Sequence, residues 1–169
     1  MVLADGTGRR IRPICELRWR DVEFTTGATH PYGRIHWPGD TDKEGKAWAA
    51  PIAPEVRDTL LRLKGERGGI GDAPVFPSPK DPTKPISRHL ADDWLRRAEK
   101  LAELEPQKGG AWHPYRRKWA TERKHLPDVD VARAGGWSSV EALRDCYVQS
   151  DDETLMLVVL DRKELREVK

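Results

Sequence analysis

Apolar and polar residues fall into short β-like runs near the start of the chain and into helical spacing beyond residue 53. Val22-Glu23-Phe24-Thr25, Arg34-Ile35-His36-Trp37 and Ala47-Trp48-Ala49-Ala50-Pro51-Ile52 read as strands. Asp42-Lys43-Glu44-Gly45-Lys46 lies between the last two as a turn, which gives a small antiparallel meander. Ahead of it, Asp5-Gly6-Thr7-Gly8 reads as a turn and Pro13 to Leu17 as a short helix, with proline tolerated in the first turn.

Pro54 opens a helix whose Val56, Leu60 and Leu63 share one face. Gly65 to Pro85 is rich in Gly and Pro and reads as a loop. Its Gly68-Gly69-Ile70-Gly71 lacks the strand-to-helix setting of a phosphate-binding fingerprint. Ser87 is a good N-cap for a helix to Glu103, with Leu90, Trp94, Ala98 and Leu101 as its buried stripe. Further helices are expected after His113-Pro114, over Asp130 to Ala134 and from Ser139 through Tyr147. A last one begins near Asp151-Asp152 and carries Leu155-Met156-Leu157-Val158-Val159-Leu160, apolar all round as a surface helix should not be. The expected class is α+β, mainly α-helical with a small three-stranded antiparallel sheet.

Composition narrows this. A chain of 169 residues suits one domain. Charged residues make up 34% and hydrophobic ones 37%, and seven Trp supply large apolar surfaces for a core. Net charge is only +2, so a nucleic-acid face has to come from local clustering. Candidates are Arg9-Arg10-Ile11-Arg12, Arg96-Arg97, and Arg116-Arg117-Lys118 with Arg123-Lys124. Two cysteines, Cys15 and Cys146, have no metal-like spacing, and a reducing cytosolic setting is the simpler reading. No stretch has the apolar length of a membrane span.

A metal-free enzyme that breaks a phosphodiester needs a nucleophile, cations for the charged pentacoordinate phosphate and an acid for the leaving oxygen. Arginine neutralises best, because its fork matches two phosphate oxygens. Histidine and lysine handle protons, and tyrosine can survive as a phosphodiester link. These parts occur here in one order. Thr7-Gly8-Arg9-Arg10-Ile11, followed by Leu17-Arg18-Trp19-Arg20-Asp21-Val22, resembles the first box of the tyrosine recombinases (phage integrases). Asp42-Lys43-Glu44-Gly45-Lys46 resembles their Thr-Lys-Thr-Gly-Lys hairpin. His113-Pro114-Tyr115-Arg116-Arg117 resembles their His-X-Leu-Arg-His box, and Gly135-Gly136-Trp137-Ser138-Ser139-Val140 their Leu-Gly-His-Ser-Ser-Ile box. Tyr147 follows ten residues after Trp137.

The resemblance runs from Thr7 to about Leu160. It implies the tyrosine recombinase catalytic-domain fold and a site made of Arg10, Lys43, His113, Arg116, Trp137 and the nucleophile Tyr147. All but Arg116 also have a plainer reading. Arg10 also reads as a salt-bridge partner, Lys43 as a hairpin-tip lysine with Lys46 beside it, and His113 as a helix N-terminal residue. Trp137 also reads as core, and Tyr147 as an extension of the stripe of Val140 and Leu143. Cys146 points roughly 100° away from Tyr147 on the same helix, so both cannot face one phosphate. Pro13 stands where the family often has an acid, and Arg117 where it usually has His.

By resemblance, Tyr147 attacks a scissile DNA phosphate and forms a 3′-phosphotyrosyl link, with neither metal nor other cofactor. The implied partners are double-stranded DNA and further copies of the chain, as a tetramer joined through the C-terminal helix. A cytoplasmic, bacterial or phage-encoded protein is implied, with no membrane partner. Residues 1–169 are expected to form a single catalytic domain, truncated at its N-terminus and without the family's DNA-clamping domain. Alternatives are a catalytically silent DNA-binding fragment and a type IB topoisomerase-like DNA relaxation activity.

Overall fold

The computed structural model describes residues 1–41, 45, 47–105, 109–147 and 152–160. Among these are the helices α1 (Val2–Thr7), α2 (Ile11–Cys15), α3 (Pro54–Arg67) and α4 (Arg88–Leu101). Then come α5 (His113–Thr121), α6 (Asp128–Gly135), α7 (Val140–Tyr147) and α8 (Asp152–Leu160). Strands β1 (Val22–Glu23), β2 (Arg34–Trp37) and β3 (Trp48–Pro51) form an antiparallel sheet in that order. Ile35 pairs with Val22 on one side and Ala50 on the other, and Trp37 pairs with Trp48. The expected class and the three-stranded meander hold. The first strand stops early, because the Phe24 carbonyl accepts a hydrogen bond from Arg57 Nη1 at 2.8 Å instead of continuing the ladder.

Residues 5–7 are not a turn but the second half of α1. Leu3, Ala4 and Thr7 bury one face of that helix, which packs on α3 and α5, and tertiary burial outweighs the poor helix propensity of Gly6. Gly6 also allows the close approach, since a Cβ there would overlap Val56. Gly8, left-handed at φ 63°, ends the helix. The next helix spans Ile11–Cys15 rather than Pro13 to Leu17, and Pro13 still lies in the first turn, where no intrahelical N–H bond is lost.

The larger core joins Leu17, Trp19, Ile35, Trp37, Ile52, Val56, Leu60 and Val75 under the sheet and α3. A second cluster joins Trp119, Ala120, Val131, Ala132, Trp137 and Leu143 across α5, α6 and α7. Ser87 caps α4 as expected, its Oγ accepting from Leu90 N at 3.2 Å. The buried stripe of α4 is rotated by one residue from the expected one, to Ala91, Leu95 and Glu99. Small Ala91 lets α4 approach α2, and Glu99 is tolerated inside because Arg96 Nη1 (2.8 Å) and the Tyr115 hydroxyl (3.1 Å) donate to it. Trp94 is 46% and Leu101 87% exposed. Trp94 and Ala98 border an apolar cavity of about 380 Å³ shared with Leu3, Ile14, Leu63 and Trp112. On α8, every residue from Leu155 to Leu160 is exposed. No described helix is long and apolar enough to cross a membrane.

Candidate active site

Two tight corners meet above α5. One is the α1–α2 corner at Gly8, and the other is the α6–α7 turn at Gly135-Gly136. Arg116, on the second turn of α5, is 3% exposed. Its Nη1 donates to the carbonyls of Gly8 and of Gly135, the latter at 2.7 Å, and its Nη2 donates to the Gly136 carbonyl at 3.3 Å. Arg10, the N-cap of α2, donates from Nη1 to the same Gly136 carbonyl at 3.5 Å. Bonds from a charged donor are stronger than neutral ones, so the cradle fixes the buried Arg116, while Arg10 is exposed and touches it through one long contact. Glycine is required in it. Gly136 is left-handed at φ 69°, and a Cβ at Gly8 or Gly135 would overlap the rings of Trp119 or Trp137.

Arg116 also lies over Trp137, its Cζ 3.5 Å from the ring centre. Trp137 stacks on Trp119 with centroids 5.8 Å apart and an interplanar angle of 22°, and Arg123 covers Trp119 at 4.3 Å. The result is an Arg–Trp–Trp–Arg stack in which each cation meets a ring face. Trp137 is 2% exposed and its Nε1 is buried, so packing is the role seen directly.

His113 begins α5 and is exposed. Partial desolvation, then the charges of Arg116, Arg10, Arg117 and Arg88, hold its pKa below the ordinary 6.5. It is therefore a neutral imidazole at pH 7, able to accept a proton. Tyr115, two residues on, is held less acidic than an ordinary tyrosine by desolvation and its bond to Glu99. The buried thiol of Cys15 is pushed up to about 11, chiefly by burial. Neither is suited to be a nucleophile. Tyr147 is the last residue of α7, and α7 packs against α5, the helix of His113 and Arg116. Lys43 and Lys46 lie outside the described residues, as do the side chains of Tyr147 and Cys146. Among the described residues, no three His, Cys, Asp or Glu side chains gather as a metal site requires.

The structure thus brings Arg10, His113, Arg116 and Trp137 together. It breaks up the expected basic clusters. In the first, Arg9 is buried and Arg12 pairs with Glu16 at 2.9 Å. Arg96 is spent on Glu99, and Arg116 faces inward. Sequence reasoning placed Gly8 and Gly135 in the boxes but missed their carbonyls as acceptors and the burial of Arg9. Clustered arginines signal a solvated face, and nothing in the spacing marks one of them as interior.

A three-stranded sheet beside helices that carry paired arginines, a histidine and a terminal tyrosine defines a class. The model of the phage integrase family matches residues 1–154, and the chain belongs to that family. No curated protein sequence matches it. Among solved structures, the XerA recombinase is 20% identical with a TM-score of 0.73, over 96% of this chain and 55% of that one. The XerH site-specific recombinase in a post-cleavage complex with its palindromic difH substrate is 21% identical, also at TM-score 0.73, over 94% of this chain and 43% of that one. The Tn1549 transposon integrase in complex with circular intermediate DNA is 15% identical at TM-score 0.61, over 95% and 56%. At these identities the likeness is one of fold. The chain spans about half the length of these proteins.

Proposed function

We propose that residues 1–169 form one catalytic domain that cuts and rejoins double-stranded DNA in site-specific recombination. The observation that carries the reading is the convergence of Arg10 and Arg116 on the Gly136 carbonyl, beside a neutral His113 and on the helix that α7 packs against. Two guanidinium groups meeting at one carbonyl next to a proton acceptor suit a phosphate in transfer, where catalysis is mostly positioning and charge stabilisation.

In this reading the Tyr147 phenol oxygen attacks the scissile phosphorus while His113 takes its proton. The bond from phosphorus to the 5′ oxygen breaks, and Lys43 protonates the leaving oxygen. The DNA is left on Tyr147 through a 3′-phosphotyrosyl link with a free 5′-hydroxyl. Arg10 and Arg116 hold the non-bridging oxygens, and Trp137 packs Arg116 into place. Attack by a second 5′-hydroxyl reverses each step and completes strand exchange. No cofactor enters this scheme, because the phosphotyrosine keeps the bond energy. The exposed apolar face of α8 supports assembly of several copies on DNA.

The test uses a pool of nicked duplexes randomised around the nick, so that the cut fragment diffuses away and the adduct persists. A covalent band is expected for the wild type and not for Tyr147→Phe. A band that survives Tyr147→Phe means the nucleophile is another residue. DNA binding without any band means a silent DNA-binding domain, and relaxation of supercoils without exchange means a topoisomerase-like activity.

A further inference from the structure

Trp119 lies three residues after Arg116 on α5, so their side chains share one face of that helix. Both grip Trp137. Arg116 Cζ stands 3.5 Å from the centre of that ring, and the two tryptophan centroids are 5.8 Å apart. The rings also seat the two glycine corners. The backbone of Gly8 rests on Trp119, so closely that an added Cβ would overlap the indole. Gly135 rests on Trp137 in the same way. These are the corners whose carbonyls receive Arg116 Nη1. One pair of rings therefore stands behind both acceptors.

Trp119 is 4% exposed, and its Nε1 is buried without a hydrogen-bond partner among the described residues. A buried donor left unpaired costs stability, so the indole contributes through its flat ring rather than its N–H. A rigid plane suits a spacer, because a close-packed interior transmits its thickness directly. Arg123 covers the outer end of the stack. Its Cζ lies 4.3 Å from the Trp119 ring, and its Nη1 donates to the Trp119 carbonyl at 2.9 Å. We infer that Trp119 is a positioning residue: with Trp137 it sets the separation of the Gly8 and Gly135 corners, and so the orientation in which Arg116 meets a phosphate. The inference rests on the strand-cleavage reading, in which Arg116 holds a non-bridging oxygen.

The test follows Arg116 itself. Guanidinium N–H groups bonded to buried carbonyls exchange slowly with water, and heteronuclear NMR reads that exchange directly. The backbone amides of α3, in the other core, report any general loosening. Trp119→Leu is expected to speed Arg116 exchange about tenfold relative to α3. It is also expected to slow single-turnover adduct formation on the nicked duplex pool about 100-fold. Trp119→Phe, which keeps a flat ring, is expected to stay within about fivefold of wild type in both readouts. Thermal unfolding checks that Trp119→Leu folds. If it does not, Arg123→Met gives the same comparison, with losses of about fivefold. Arg116 exchange that stays unchanged, or rises only as much as that of α3, overturns the inference alone. So does an adduct rate that holds at the wild-type value while Arg116 loosens, or a Phe variant as slow as the Leu variant. A wild type that forms no adduct overturns the cleavage reading and the inference with it.

Discussion

A guanidinium inside a protein is tolerated only where acceptors meet its donors. Arg116 satisfies this with three backbone carbonyls, one of which exposed Arg10 shares at 3.5 Å. Motif order points to Arg10, His113, Arg116 and Trp137, which the fold brings near one another. It was silent on the cradle, because backbone carbonyls carry no sequence signature and converge only when distant corners pack together. His113 yields a test. Desolvation and then positive neighbours disfavour its imidazolium, so the base form persists below the ordinary 6.5, and the proposed cleavage is expected to slow only on the acid side of that value. Arg88→Gln removes one of those charges. The acid limb of a pH–rate profile is then expected to move up toward 6.5, and a downward shift would contradict the assignment.

At the scale of elements, long periodic helices and the meander were legible, and the faces of short or crowded ones were not. The α4 stripe was misjudged because Glu99 counts as polar until Arg96 and Tyr115 are seen to satisfy it. Half of α1 was misread because Gly6 and Gly8 look like a turn, while the burial of Leu3 and Ala4 is a tertiary fact. The α6–α7 turn is where an element most directly shapes the site. Gly136→Ala forces a side chain onto a backbone at φ 69° and against Arg9. A loss of about 1–2 kcal/mol in urea unfolding is expected. A Gly136→Ala variant as stable as wild type would mean that the turn relaxes without cost.

At the scale of the molecule, six successive apolar residues of α8 lie exposed. Burial in the protein's own core was open from the sequence alone, since a run apolar all round fits either use. Removing residues 152–169 is expected to leave thermal unfolding nearly unchanged, because the exposed residues contribute little to this core. The same deletion is expected to reduce multi-copy assembly on DNA in sedimentation. An unfolded or aggregated deletion product would show that α8 serves the fold instead.

The proposed reaction leaves Tyr147 covalently joined to DNA. Its most direct measurement is proteolysis of the trapped adduct, followed by mass spectrometry of the peptide that carries the nucleotide. A single modified residue, Tyr147, bearing a 3′-phosphate linkage is expected. A nucleotide on Tyr115 or Cys146, or a linkage through a 5′-phosphate, would contradict it.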